Sequence, residues 1–322
     1  MDRAHRRIAI AIAFVALGVL ALAATACSSD GSTSSSSTTP TVIVTTSILG
    51  DVVENIVGDA AEVEVLMPAG VDPHEFELSA AQAAAMQEAD VIVANGLGLE
   101  AGMVDALDAA EGAGVPVYEV APPLDPLPLG DAAAEDQGGS GLDPHVFTDP
   151  RRMADGVEDI TAALGEEVPA LATETVRARA DAYTAEVRGV DAGVEEELAA
   201  IPEDQRVLIT NHEVFSYFAA RYGFEVVGTV IPSGTTLAEP SSQELSDLAD
   251  TIREYDVPAI FADASSPTEL AEALADESGV EVEVVPLFSE SLGEPGSGAD
   301  TYLGMVQANA DAITAALSGG SS

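Results

Sequence analysis

Two stretches of this chain repeat one another: Asp72-Pro73-His74-Glu75-Phe76 and Asp143-Pro144-His145-Val146-Phe147. A third histidine stands in Ile209-Thr210-Asn211-His212-Glu213-Val214-Phe215, after an apolar run and again followed closely by phenylalanine. The chain has 4 histidines, and the last of them, His5, lies in a basic N-terminus. Neutral imidazole is the commonest protein ligand for metal ions, and His74, His145 and His212 read as ligands of one ion. Zinc takes three or four His, Cys or carboxylate donors at about 2.0 to 2.3 Å, so three imidazoles want one more. Glu290, in Leu287-Phe288-Ser289-Glu290-Ser291-Leu292, is one candidate and Asp263 is its competitor. Asp72 and Asp143 are placed either to orient their imidazoles or to act as caps and turn residues. The single cysteine, Cys27, rules out an internal disulfide and a thiolate site built from several cysteines. A zinc hydrolase would keep one position open for water and set a base beside it. Glu213 or Glu75 would have to serve as that base; no HExxH pattern is present, and a fourth protein donor would close the open position.

Such side chains do chemistry only where the fold gathers them. From Thr41 onward short β-branched runs alternate with helical patterns. Residues 41–46, 62–66, 90–95 and 115–120 read as strands. Helical spacing marks residues 48–57, 79–89 with Ser79 as N-cap, and 103–110. Residues 121–141, punctuated by Pro, acid and Gly, read as a mobile surface loop, and residues 166–200 as one long helix. The first pattern then starts over, with strands at 207–210, 225–230, 257–262 and 281–286, helices at 242–255 and 267–277, and a closing helix at 299–317. Alternating strands and helices imply parallel sheets covered on both faces. The expected fold is α/β, with two similar lobes at 41–164 and 203–322, each a mostly parallel sheet of about four strands flanked by helices. A long helical segment, 165–202, joins them. Loops beyond the carboxyl ends of such strands form the binding crevice. His74, His212 and Glu290 follow strands there and His145 opens the return into a helix, which places the metal site in the cleft between the lobes.

At 322 residues and 47% apolar content the chain has material for two packed domains. It carries 56 acidic residues against 11 basic ones, all arginine, for a formal net charge of -45. Nucleic acid, which demands clustered positive charge, is excluded as a partner. The acid reads as a heavily solvated surface with an unspecific attraction for cations. At the N-terminus Arg3, Arg6 and Arg7 precede an uncharged run over residues 8–26, which meets Ala24-Thr25-Ala26-Cys27 and then a polar tract. That is a basic region, an apolar region and a small-residue cleavage site. It resembles a bacterial lipoprotein signal, in which Cys27 would be lipid-modified and become the new N-terminus; position 24 is Ala where such signals usually carry Leu. Residues 1–27 are then the signal and 28–40 a flexible Ser/Thr tether. An uncleaved anchor is the alternative, since the 8–26 run approaches bilayer length. Either arrangement puts the rest of the chain outside the cytoplasm, held at the membrane.

Further motifs complete the picture: Gly70-Val71-Asp72-Pro73-His74-Glu75-Phe76, Asn95-Gly96-Leu97-Gly98-Leu99-Glu100, Asp143-Pro144-His145 through Pro150, Asn211-His212 through Phe218, Ala238-Glu239-Pro240-Ser241 and Tyr302-Leu303-Gly304-Met305. Together, over residues 41–317, they resemble the zinc- and manganese-binding lipoproteins of bacterial ABC importers, the TroA-like solute-binding proteins. The resemblance implies two lobes bridged by a rigid helix, an ion held between them, delivery to a membrane permease with its ATPase, a monomer, and no catalysis. The family's first two ligands fall on His74 and His145. Its third falls on His212, where zinc binders tend to have His and many manganese binders Glu, and its fourth, commonly Asp, falls on Glu290. Three imidazoles with one carboxylate suit Zn2+ better than Mn2+, which favours oxygen-rich sites; Mn2+ is the alternative cargo. Zinc-specific relatives often carry a histidine-rich loop near 121–141, where this chain has Asp125, Asp131, Glu135 and Asp136 but no His. A zinc metallochaperone or a surface adhesin for cell adhesion would share the fold without a permease.

Overall fold

β-branched runs too short for helices become strands here, bounded by turn residues. β1 (Thr41–Val44), β2 (Glu62–Val65), β3 (Val91–Ala94) and β4 (Val117–Glu119) form a parallel sheet in the order β2-β1-β3-β4. β5 (Val207–Thr210), β6 (Glu225–Thr229), β7 (Ala259–Asp263) and β8 (Glu283–Leu287) form a second parallel sheet in the equivalent order, β6-β5-β7-β8. The computed structural model describes residues 39–130 and 141–318. The expected signal at 1–27 with Cys27, the tether up to residue 38, and Asp131, Glu135 and Asp136 lie outside the described residues. Among those described, no helix is long and apolar enough to cross a membrane.

The central strands β3 and β7 are buried along their whole length, whereas the edge strands β2 and β6 are only partly covered. This is the pattern of a parallel sheet packed on both faces. Helices α1 (Ser47–Val57), α2 (Ala80–Met86), α3 (Val104–Ala113) and α4 (Pro150–Glu167) belong to the first half of the chain. Helices α6 (Ser216–Tyr222), α7 (Ser242–Tyr255), α8 (Glu269–Ser278) and α9 (Tyr302–Ser318) belong to the second, and α5 (Glu174–Leu198) joins the two. Ser79 caps α2 and Ser241 caps α7, each in a reciprocal box with Gln82 or Glu244.

The single helix expected over 166–200 is broken. Helix α4 runs into Glu167, a short 3-10 turn spans Pro169–Leu171, and α5 restarts at Glu174. Pro169 has no N–H to donate and forces the preceding residue out of the helical region; Val168 accordingly sits at φ -121, ψ 88. Thr173 then caps α5 by accepting the Val176 N–H at 3.2 Å. The long helix buries Val176, Ala180, Tyr183, Val187, Val194 and Leu198 along one stripe and packs against α1, α4 and α9. One apolar cluster therefore runs through both lobes, from Val42 and Val91 through α5 to Phe261, Leu287 and Ile313. The outer face of each sheet has its own smaller core, under α2 and α3 in one lobe and under α7 and α8 in the other.

The surface loop expected over 121–141 is tied down at both ends. Leu124 and Leu129 are buried, Leu129 N–H donates to Gly141 C=O at 3.0 Å, and Asp143 N–H donates to Leu127 C=O at 2.8 Å. Apolar residues between the prolines fill the seam beside the second lobe, which turns residues 124–130 into a strap over the crevice edge.

Candidate metal centre

Each lobe supplies two of the residues singled out by sequence. After β2 the chain turns at Gly70, whose N–H donates to Ser291 Oγ at 2.9 Å and to Leu292 C=O at 3.1 Å in the other lobe. Gly70 takes φ 77, a region that favours glycine. Asp72 Oδ1 then accepts the His74 N–H at 2.8 Å. A Cβ on Gly102 would stand 2.3 Å from the Phe76 carbonyl oxygen, so only glycine lets the two loops meet there. His145 is reached after β4 and the strap. Asp143 Oδ1 accepts from both the backbone N–H of His145, at 2.9 Å, and its ring Nδ1, at 2.8 Å. His212 follows β5, where the Thr210 hydroxyl donates to its carbonyl at 2.8 Å. Glu290 follows β8, and Asn309 of α9 fixes the approach by bonding both the N–H and the C=O of Phe288 at 2.9 Å.

The four side chains converge. One donor atom from each of His74, His145, His212 and Glu290 lies within 4.8 Å of all the others, and all four residues are buried. Nε2 of His145 stands 3.4 Å from Nε2 of His74 and 3.4 Å from Nε2 of His212. Glu290 Oε1 lies 2.8 Å from His212 Nε2, 3.4 Å from His145 Nε2 and 3.9 Å from His74 Nε2. For bonds of 2.0 to 2.1 Å a tetrahedron has edges of about 3.3 Å. Five separations among the three nitrogens and the oxygen, from 2.8 to 3.9 Å, lie around that value.

The electrostatics point the same way. Among the described residues no hydroxyl, amide or guanidinium donor reaches either oxygen of Glu290, whose side chain is wholly buried. A bare buried carboxylate costs several kcal/mol unless a cation faces it. Burial opposes its ionisation, yet the imidazoles of His145 and His212 outweigh burial and hold its pKa well below the usual carboxylate value. Burial pushes His74 down to about 3, so its imidazole is neutral. Burial pulls His145 down too, but Glu290 and Asp143 on its two sides overcome that and raise it to about 10. Asp72 is raised to about 6, by burial first and then by Glu290.

Residues 42–316 match the family of zinc-uptake complex component A, periplasmic. The chain belongs to this family. It is 33% identical over 301 residues to a manganese-binding lipoprotein, MntA, of Halalkalibacterium halodurans, covering 93% of this chain and 96% of that one. To the zinc-binding protein TroA of Treponema pallidum it is 34% identical over 284 residues, covering 86% and 89%. The solved structure of the periplasmic zinc-binding protein TroA superposes with a TM-score of 0.78 at 32% identity, over 87% of this chain and 99% of the other. The family consists of metal-binding components of ABC importers that work with a permease and an ATPase, and they are not enzymes. Relatives differ in the metal that they are named for, zinc or manganese.

Asp263 is a neighbour of the four-residue cluster and not a member of it. Its Oδ1 accepts from the Ser265 N–H at 2.7 Å and from the Ser265 hydroxyl, and its Oδ2 accepts from the Ser289 hydroxyl. Both of its oxygens are engaged, and burial, then Glu290, raise its pKa above the usual carboxylate value. Other contributors have no role that the sequence alone assigns. Asn95 donates through Nδ2 to the Pro144 carbonyl at 2.9 Å and so braces the residue before His145. Glu100, fully buried, accepts from Asn95 N–H at 2.6 Å, Gly96 N–H at 3.1 Å and the Thr45 hydroxyl at 2.7 Å, which anchors Asn95 in turn. The one sequence signal for them is an acid two residues beyond a Gly-Leu-Gly turn at a strand end, a pattern that polar surface loops share.

Proposed function

We propose that this chain captures Zn2+ outside the cytoplasm and hands it to the permease of an ABC importer, with His74, His145, His212 and Glu290 as the four ligands. The observation that carries the reading is the convergence of three imidazoles and one carboxylate, all buried, with donor atoms within 4.8 Å of one another. The ion displaces the proton that Glu290 and Asp143 hold on His145, the imidazoles bind the ion as neutral donors beside the ionised Glu290, and acid releases it by returning protons to the imidazoles. Mn2+ is the second reading, favoured by the similarity to a manganese-binding lipoprotein; the nitrogen-rich donor set argues for zinc.

The chain works as a monomer anchored by a lipid on Cys27, with residues 28–40 as tether, lobes at 41–164 and 203–322, and 165–202 as the bridge. The signal-like N-terminus supports this, as do relatives named lipoproteins. The test uses the compact unit Thr39–Ser322, stripped of metal and titrated with Zn2+ and Mn2+ in competition. One tight zinc site, lost on His74→Ala or His212→Ala, is expected. A preference for manganese overturns the metal, and unchanged binding in both variants overturns the site. Cys27→Ser in the full chain should abolish fatty-acid labelling and release the protein from membranes.

A further inference from the structure

We propose that Tyr217 is a positioning residue for the metal site, whose phenol sets the separation of the His145 and His212 imidazoles across the cleft. The inference rests on the ligand assignment above. Helix α6 begins four residues after His212, and Tyr217 in its first turn is completely buried. Its hydroxyl reaches into the other lobe, donating to the Asp143 carbonyl at 2.6 Å and accepting the Leu127 N–H at 3.0 Å. The Arg152 guanidinium lies 4.9 Å over the ring centroid and donates to the carbonyls of Leu124 and Asp125, which pins the strap that carries Leu127.

Asp143 is the residue whose carboxylate orients His145. One hydroxyl therefore joins the segment bearing a ligand of the second lobe to the residue that aims a ligand of the first. Another hydrogen bond between these segments, from the Thr148 hydroxyl to the Val214 carbonyl, is long at 3.4 Å. A tyrosine buried for packing alone needs one polar partner. Tyr217 uses both donor and acceptor functions, and both partners belong to the frame of His145. The His145 to His212 edge of 3.4 Å is the distance it maintains.

Tyr222 supplies the control. It lies on the same helix, is buried, and its hydroxyl donates to Asp191 Oδ1 at 3.1 Å, away from every ligand-bearing segment. In the chain that binds one Zn2+, Tyr217→Phe should weaken zinc about tenfold or more and change the visible ligand-field spectrum of bound Co2+, which reports the arrangement of the donors. Tyr222→Phe should lower thermal stability while leaving zinc affinity and that spectrum as they are. A folded Tyr217→Phe with parental affinity and parental Co2+ spectrum overturns the proposal, and so does a Tyr222→Phe that shifts both equally. A measurement on the unsubstituted chain needs no variant: with tyrosine labelled at Cζ, added Zn2+ should shift the Tyr217 resonance and not that of Tyr222. A Tyr217 resonance indifferent to zinc also sinks the idea. Failure of the parent chain to bind zinc would instead remove the ligand assignment.

Discussion

The two Asp-Pro-His loops begin with the same three residues and end in different environments. In the first, Glu75 and Glu77 are exposed and Phe76 is half-buried, so the buried His74 is followed at once by solvent-facing residues. In the second, Val146, Phe147 and Thr148 are all buried, and His145 opens a 3-10 turn that leads into α4. The aspartates have diverged accordingly. Asp143 grips both the backbone and the ring of His145, whereas Asp72 grips only the backbone of His74. The ring Nδ1 of His74 has no hydrogen-bond partner among the described residues. The same tripeptide thus yields one imidazole bonded through Nδ1 to its aspartate and one whose Nδ1 has no such bond.

Replacing the histidines should show the largest difference. Structural zinc sites bind with about 10 to 16 kcal/mol shared among four donors, so either His74→Ala or His145→Ala should cost about a hundredfold in affinity. The metal-free proteins should part company. His145→Ala strands the buried carboxylates of Asp143 and Glu290 and should destabilise the fold by about 3 to 5 kcal/mol. His74→Ala removes a neutral imidazole and should cost less. Chemical unfolding of both variants without metal checks this, and equal losses would erase the distinction between the loops.

The pH dependence of the metal-free chain should differ in sign between the two. His145 is raised to about 10 by Glu290 and Asp143 against burial. Its contribution to stability is complete below the unfolded value of about 6.5 and is lost as pH climbs through about 10. His74 is lowered to about 3 by burial. It stays neutral in the fold while the unfolded chain takes up a proton, so its contribution is present above about 6.5 and is lost as pH falls toward about 3. Each effect is on the order of a few kcal/mol. Metal-free stability should therefore peak near neutral pH. Stability that remained flat between pH 7 and 10 would mean that the Asp143 and Glu290 carboxylates do not hold a proton on His145.

Much of the architecture is legible in the sequence. Short β-branched runs separated by helical spacing leave little choice but parallel sheets, and loops at strand ends leave little choice about where polar residues meet. The break at Pro169 is not among the features that helical spacing reveals, because the period continues on either side of it; proline followed by a Thr-Glu cap is the restart signal that the spacing hides. The choice between Glu290 and Asp263 is not legible either, because both follow strands of the second sheet. Ser265 and Ser289 engage both oxygens of Asp263 while Glu290 clusters with the three imidazoles, and hydroxyl geometry of that kind has no sequence period. Nor can identical tripeptides foretell different roles for Asp72 and Asp143, because the partners that separate them, Leu127 and Tyr217, come from 16 residues upstream and 74 residues downstream of Asp143.

The smallest expected effect is the most direct probe of that separation. Asp143→Asn keeps an acceptor against His145 Nδ1 but removes the charge that makes the imidazole a stronger donor to metal, a loss of about tenfold in zinc affinity. Asp72→Asn keeps the bond to the His74 N–H and touches no ring nitrogen. Burial and Glu290 raise Asp72 to about 6, so it is ionised above that pH, but its carboxylate bonds only the His74 backbone and the substitution removes a charge that no ring nitrogen contacts. Its effect on zinc affinity should be about twofold or less, within the range that a change of distant charge produces across a buried site. Competition with a chelator at about pH 7.5, above the raised Asp72 value, measures both variants on one scale. If Asp72→Asn loses as much as Asp143→Asn, the first aspartate also acts through its imidazole, and the two loops are equivalent in solution despite their different hydrogen bonds.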